Sequence, residues 1–176
     1  MNPVESTEAE ILQATQNWIE QVVIRHQFCP FAARPFQDKT IRYHIILKKE
    51  LTELSQIFLS ECTLLDNQHP AETTLLIFPD TLNDFHDYLD VLADCEELLT
   101  DHNYNGIYQL ASFHPKYQFA GTTPDDVTNK TNQSPYPIIQ LLREKSITRV
   151  LKQYPHPENI PERNIKKAKE IWGKKK

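Results

Sequence analysis

Residues 75–78, Leu-Leu-Ile-Phe, make an apolar run closed by Thr74 and Pro79. A run this short with no polar position suits a strand buried on both faces. Around it the hydrophobic period switches repeatedly. Thr7 to Glu10 reads T-x-x-E, a capping box. It opens a helix with Ile11, Leu12, Trp18, Ile19, Val22 and Val23 on one face, and Pro30 ends it near Gln27 or Phe28. Ile41, Tyr43, Ile45 and Leu47 alternate as in a strand. Leu51, Leu54, Ile57, Phe58, Cys62 and Leu65 mark a second helix. Phe85, Leu89, Leu92 and Leu99 mark a third, and Ile107 to Phe113 is a third strand. The order strand-helix-strand-helix-strand implies crossovers. The expected fold is α/β or α+β, a three-stranded, mostly parallel or mixed core sheet with flanking helices and a helical C-terminal third. A helix is expected from Ser134 through Leu142, a short one capped by Ser146, and a last one from Pro161 carrying Ile165, Ala168, Ile171 and Trp172.

At 176 residues one domain is expected. It divides into an N-terminal helix (1–28), the strand-helix core (40–114), a loop (115–134) and C-terminal helices (135–172). The formal net charge of -5 argues against a nucleic-acid or anionic-membrane surface. The basic end, KKAKEIWGKKK, reads as a solvated terminus. No apolar run is long enough to span a membrane, and the N-terminus lacks the features of a secretion signal. A cytoplasmic location follows as the default expectation. On that footing the N-x-S/T matches at Asn129 and Asn132 carry no meaning for glycosylation. Three glycines cannot assemble a Walker loop or a GxGxxG fingerprint. Three dispersed cysteines do not make a disulfide framework.

Between Phe113 and Tyr136 the chain leaves a strand at His114 and stays polar and irregular. Ordered loops of that length inside a domain usually carry function. Parallel strands would also bring Lys48, Pro79-Asp80 and His114 to one sheet edge, where ligands collect in open α/β folds.

Cys62 and Cys95 fall within helical apolar patterns and read as small core hydrophobes. Cys29, in Phe-Cys-Pro-Phe with Arg34 nearby, is the thiol whose context allows a thiolate, although the flanking phenylalanines equally suit a packed corner. His114 is placed for acid, base or ligand work, or simply for organising the loop. Should the fold join them, Cys29 and His114 form a thiol–imidazole pair, with Asn132 as an orienting residue. A metal reading rests on His26 and Cys29 at H-x-x-C spacing with His114 and His156, but a second short-spaced pair is missing. His44, His69, His86 and His102 look unpartnered. Arg34, Lys116, Arg143 and Arg163 are candidates for anion binding; Arg143 could fork onto a carboxylate or phosphate, or pair with an acid such as Glu144 or Asp125. Tyr117, Phe119, Tyr136 and Tyr154 suit either a pocket wall or core. Asp125-Asp126 reads as a turn or cap.

The strings CPFA, FHPKYQFAG, NQSPYPIIQLLRE and IPERN give the chain a resemblance to a bacterial family of similar length, catalogued as domain of unknown function 1415. The resemblance spans nearly the whole chain and implies no activity, substrate or cofactor. It adds weight to Cys29, His114, Tyr117, Gly121, Asn132, Tyr136 and Arg143 as a set. HQF stands before CPFA where the family suggests apolar or amide residues, which weakens His26 as a ligand. The leading expectation is a small-molecule enzyme with Cys29 as thiolate and His114 as base. Arg34 and Arg143 would hold a small anionic substrate, with Tyr117, Gly121, Asn132, Tyr136 and His156 around it. The alternatives are a non-catalytic metabolite-binding or regulatory module on the same loop, or a Cys/His metal protein. The cofactor stays unknown.

Overall fold

The chain pairs its central strands so that the apolar run of residues 75–78 is covered from both sides. The computed structural model describes residues 6–67 and 70–173; the expectation for His69 and those for the two ends of the chain lie outside them. Helix α1 (Glu8–Trp18) starts at the Thr7–Glu10 capping box and continues as a π-helical segment, Ile19–Ile24. The short α2 (Ala33–Gln37) follows. Strand β1 (Ile41–Ile45) leads through a 3-10 turn to α3 (Leu54–Asp66), β2 (Thr73–Ile77), α4 (Phe85–Asp101) and β3 (Tyr108–Phe113). Strand β4 (Ile138–Arg143), α5 (Glu144–Leu151) and α6 (Ile160–Trp172) complete the described chain.

Among the described residues four strands form one mixed sheet in the order β1-β2-β4-β3. β1 and β2 are parallel, and β4 runs antiparallel to both β2 and β3. The expected sheet thus gains a fourth strand, and it occupies the segment read as a helix from Ser134 to Leu142. The reason lies in placement: Ile138, Ile139, Leu141 and Leu142 are all buried in the sheet's interior, where a helix could not pair with two strands. Ser146 is likewise no cap, since its hydroxyl donates to Glu72.

Both faces carry a core. Leu76, Phe78, Ile139 and Leu141 pack with Phe58, Cys62 and Leu65 of α3 and Tyr88, Cys95 and Leu99 of α4. Leu75, Ile77 and Ile138 face the other way, onto Ile11, Trp18, Ile19 and Val23. Each leucine, isoleucine, valine or phenylalanine among them, fully buried, contributes roughly 1.5–3 kcal/mol. Cys62 and Cys95 sit in the first core as small hydrophobes, and burial pushes both thiols up to about 12. No helix among the described residues is long and apolar enough to cross a membrane.

Candidate functional site

Strand alternation decides where the two leading candidates go. Phe113 ends β3 on the α1 side, in the core that Cys29 also packs against. The next residue therefore turns to the opposite face, and His114 lies against Phe85 and Tyr88 at ring separations of 5.2 and 5.1 Å. The sheet stands between sulfur and imidazole. The expected thiol–imidazole pair is not formed.

His114 is fully buried and both ring nitrogens are engaged. Nδ1 accepts from the Lys116 N–H at 2.9 Å, so the proton sits on Nε2, which donates to the Leu82 carbonyl at 2.9 Å. Burial lowers its pKa, with the Leu82 bond partly opposing, which favours this neutral tautomer. The imidazole pins the start of the loop; it has no nitrogen left to take a proton from a substrate.

The loop is tied to itself. The Asn132 carbonyl accepts from the His114 N–H, and its Nδ2 donates to the Ser112 carbonyl at 3.1 Å. Asn129, wholly buried, accepts from Phe119 N and Thr122 Oγ1 at 3.0 and 2.9 Å and donates to the Thr123 carbonyl at 2.9 Å. Asp126 caps the 3-10 turn Val127–Thr131 through Thr128. That turn borders α6. Tyr117 packs on Phe85 and Phe119. Gly121 takes φ +79°, a left-handed position that glycine holds without strain. Asn129 was missed because its match to a glycosylation pattern carried no structural content, and a buried loop amide leaves no period to read.

Helix α6 joins two of the quoted strings. Arg163 and Asn164, from IPERN, donate to the carbonyls of Gln27 and Phe28, each at 2.7 Å, and Lys167 donates to His26 O at 2.9 Å. These are the acceptors left open where the first helix ends, immediately before CPFA. Cys29 follows this clamp. Its thiol is pushed up by burial, against the Phe31 and Ala32 N–H groups and the Arg163 charge that pull it down. The thiol form is therefore favoured over the thiolate.

The arginines do not converge. Arg34 points to solvent with Asp38 at 3.4 Å. Arg143 ends β4 opposite Tyr108, at the end of the sheet away from His114, and donates to the Ala71 carbonyl at 3.2 Å. Reading the segment as a strand moves it about 17 Å from the loop, at ~3.3 Å per residue. Exposed His156 pairs with Glu158 at 3.2 Å. Tyr136 packs into the α1-side core, and its carbonyl accepts from Ser134. His44 is not unpartnered: it meets buried Glu61 at 2.7 Å, beside Arg42 and Thr74. Among the described residues no three His, Cys, Asp or Glu side chains form a metal cage.

What the loop and α6 do build is a pocket of about 430 Å³. Phe119, Thr122, Asn132, Ile160, Asn164 and Ile165 are among its walls, and none of its lining residues carries a charge. That volume lies within the usual range of ligand cavities, and apolar walls with a few placed polar groups are their usual chemistry.

A mixed α/β sheet with a hydrogen-bonded loop clasped against its last helix is the class of protein that fold and site define. The chain belongs to the family described as protein of unknown function (DUF1415), whose model matches residues 10–176. No curated protein and no solved structure matches it.

Proposed function

We propose that the protein is a non-catalytic metabolite-binding or regulatory module. Its ligand is a small neutral molecule seated between the loop and α6. The observation that carries this reading is the uncharged, ligand-sized pocket bounded by Phe119, Asn132 and Ile165. An anionic ligand would forgo a charged partner there, whereas hydroxyl and amide groups suit a neutral polar one. The pre-formed loop lowers the ordering cost of binding. Support also comes from the removal of His114 as a base: its proton donor and acceptor are both committed within the fold.

Thermal-shift screening against nucleosides, monosaccharides and amino-acid amides tests this. A ligand at one hundred times its Kd contributes about 2.7 kcal/mol. For a chain of this size that raises Tm by roughly 5–10 °C. Ala120, exposed at the pocket rim, takes substitution without disturbing the core. Ala120→Trp should abolish the shift while leaving the unliganded Tm in place. A stabilising compound whose effect survives Ala120→Trp binds elsewhere and overturns the assignment.

A further inference from the structure

On the α1 side of the sheet lies a second, smaller cavity of about 40 Å³, lined by Trp18, Val23, Cys29, Leu75, Phe113 and Gln140 among others. A water occupies roughly 10–15 Å³ on this measure, so the space matches about three waters or a molecule of a few heavy atoms. Its walls are mainly apolar. The donors of its two polar walls are already engaged: Gln140 Nε2 donates to Thr73 Oγ1 at 3.1 Å, and Thr73 donates to the Leu141 carbonyl at 2.7 Å.

Trp18 differs. It is 8% exposed, and its indole Nε1–H is buried with no acceptor among the described residues. Buried donors of this kind are rare, and each calls for a partner. Its ring is already fixed edge-on to Phe113 at 5.0 Å, so the N–H cannot turn away without breaking that contact. Trp18 is a wall of this cavity and carries a buried N–H without an acceptor, so what a guest could supply is one hydrogen-bond acceptor on an otherwise apolar molecule.

We propose that this cavity is a binding site for a short aliphatic carbonyl compound, whose oxygen accepts from Trp18 Nε1–H and whose alkyl groups pack on Val23, Leu75 and Phe113. The Cys29 thiol forms the wall beside it. The site lies across the sheet from the neutral-ligand pocket's anchor at His114, and stands or falls independently of that reading. A ligand this small binds weakly, because the attainable free energy scales with its few atoms.

The test uses the full-length chain labelled with nitrogen-15 and 2-butanone as the probe. The two indole N–H resonances are assigned by Trp172→Phe. 2-Butanone should move the Trp18 resonance downfield along a saturable curve and protect Cys29 from iodoacetamide. Xenon, which fills apolar cavities but accepts no hydrogen bond, should protect Cys29 without the downfield shift. Trp18→Phe keeps a ring and loses the donor, so half-protection should need about tenfold more 2-butanone, the value of one hydrogen bond. Should that variant fail to fold, Ala32→Val, which narrows the cavity, should remove the saturable shift. An indole resonance that 2-butanone leaves in place means the donor is met by water alone and overturns the proposal. So does an equal downfield shift with xenon.

Discussion

The imidazole of His114 is held neutral by its surroundings, and this fixes how the loop's anchor responds to acid. Burial is the main cause of its lowered pKa. In the unfolded chain the same group titrates near 6.5. For a depressed histidine the unfolded state binds the extra proton first, so stability falls as pH drops below that value. The contribution is fully present above about pH 6.5 and is lost as pH falls toward the folded-state pKa. Protonation at Nδ1 would also destroy the bond from the Lys116 N–H. Nitrogen-15 spectra of the His114 ring at pH 7 should show a protonated Nε2 and a bare Nδ1. Protection of the Lys116 amide from hydrogen exchange, taken relative to its intrinsic rate at each pH, should fall on acidification before that of the core amides does. A ring that carries both protons at pH 7 contradicts the anchor assignment.

At the scale of elements, α6 is a clamp on the end of the first helix. Adjacent Arg163 and Asn164, with Lys167 one helical turn on, satisfy the carbonyls of residues 26–28. Asn164→Ala leaves the Phe28 carbonyl without its donor, at a cost of about 1–3 kcal/mol. Because Cys29 follows directly, its alkylation by local opening should speed up more than hydrogen exchange in β2 does. Equal acceleration at both would mean global destabilisation and no clamp. The partnership of CPFA with IPERN was legible only as two unusual strings; spacing in sequence carries no distance. The same limit explains β4. Ile138 to Leu142 is a short stretch, apolar except for Gln140, and periodicity cannot separate a buried strand from a buried helix at that length. Leu75 to Phe78 was read correctly because Thr74 and Pro79 bounded it tightly, whereas Pro135 and Pro137 after Ser134 imitate a helix start. That one substitution of strand for helix sent Arg143 to the far end of the sheet. The alternation that separates Cys29 from His114 needed the register of β3 against β4, which the sequence of either strand alone does not contain.

Across the whole molecule, the candidate site and the main buried ion network occupy opposite edges of the sheet. β3, which delivers the loop, is one edge, and β1, which carries Arg42 and His44, is the other. Glu61 of α3 is 2% exposed and accepts from Nε and Nη2 of Arg42 at 2.8–3.1 Å, with His44 and Thr74 completing its shell. Burial raises its pKa, but the bonds from His44, Arg42 and Thr74 outweigh that and hold it at about 2, against 4.5 for a free carboxyl. A depressed carboxylate stabilises the fold above the unfolded pKa and loses that contribution as pH falls through the folded one. The window is therefore pH 4.5 down to about 2. The shift corresponds to about 3 kcal/mol. Glu61→Gln should cost an amount of that order at pH 7 by denaturant unfolding, because Arg42 and His44 lose their carboxylate. Between pH 5 and 2.5 the wild type should lose about 2 kcal/mol more than the variant does, the remainder going below pH 2.5. Parallel pH curves for the two would show that the network does not set acid stability. Since the loop lies at the other edge, the Tm increment from any ligand of the loop pocket should be unchanged in Glu61→Gln, while the baseline Tm falls. Loss of that increment would mean that the two edges are coupled, and that α3 helps to shape the pocket.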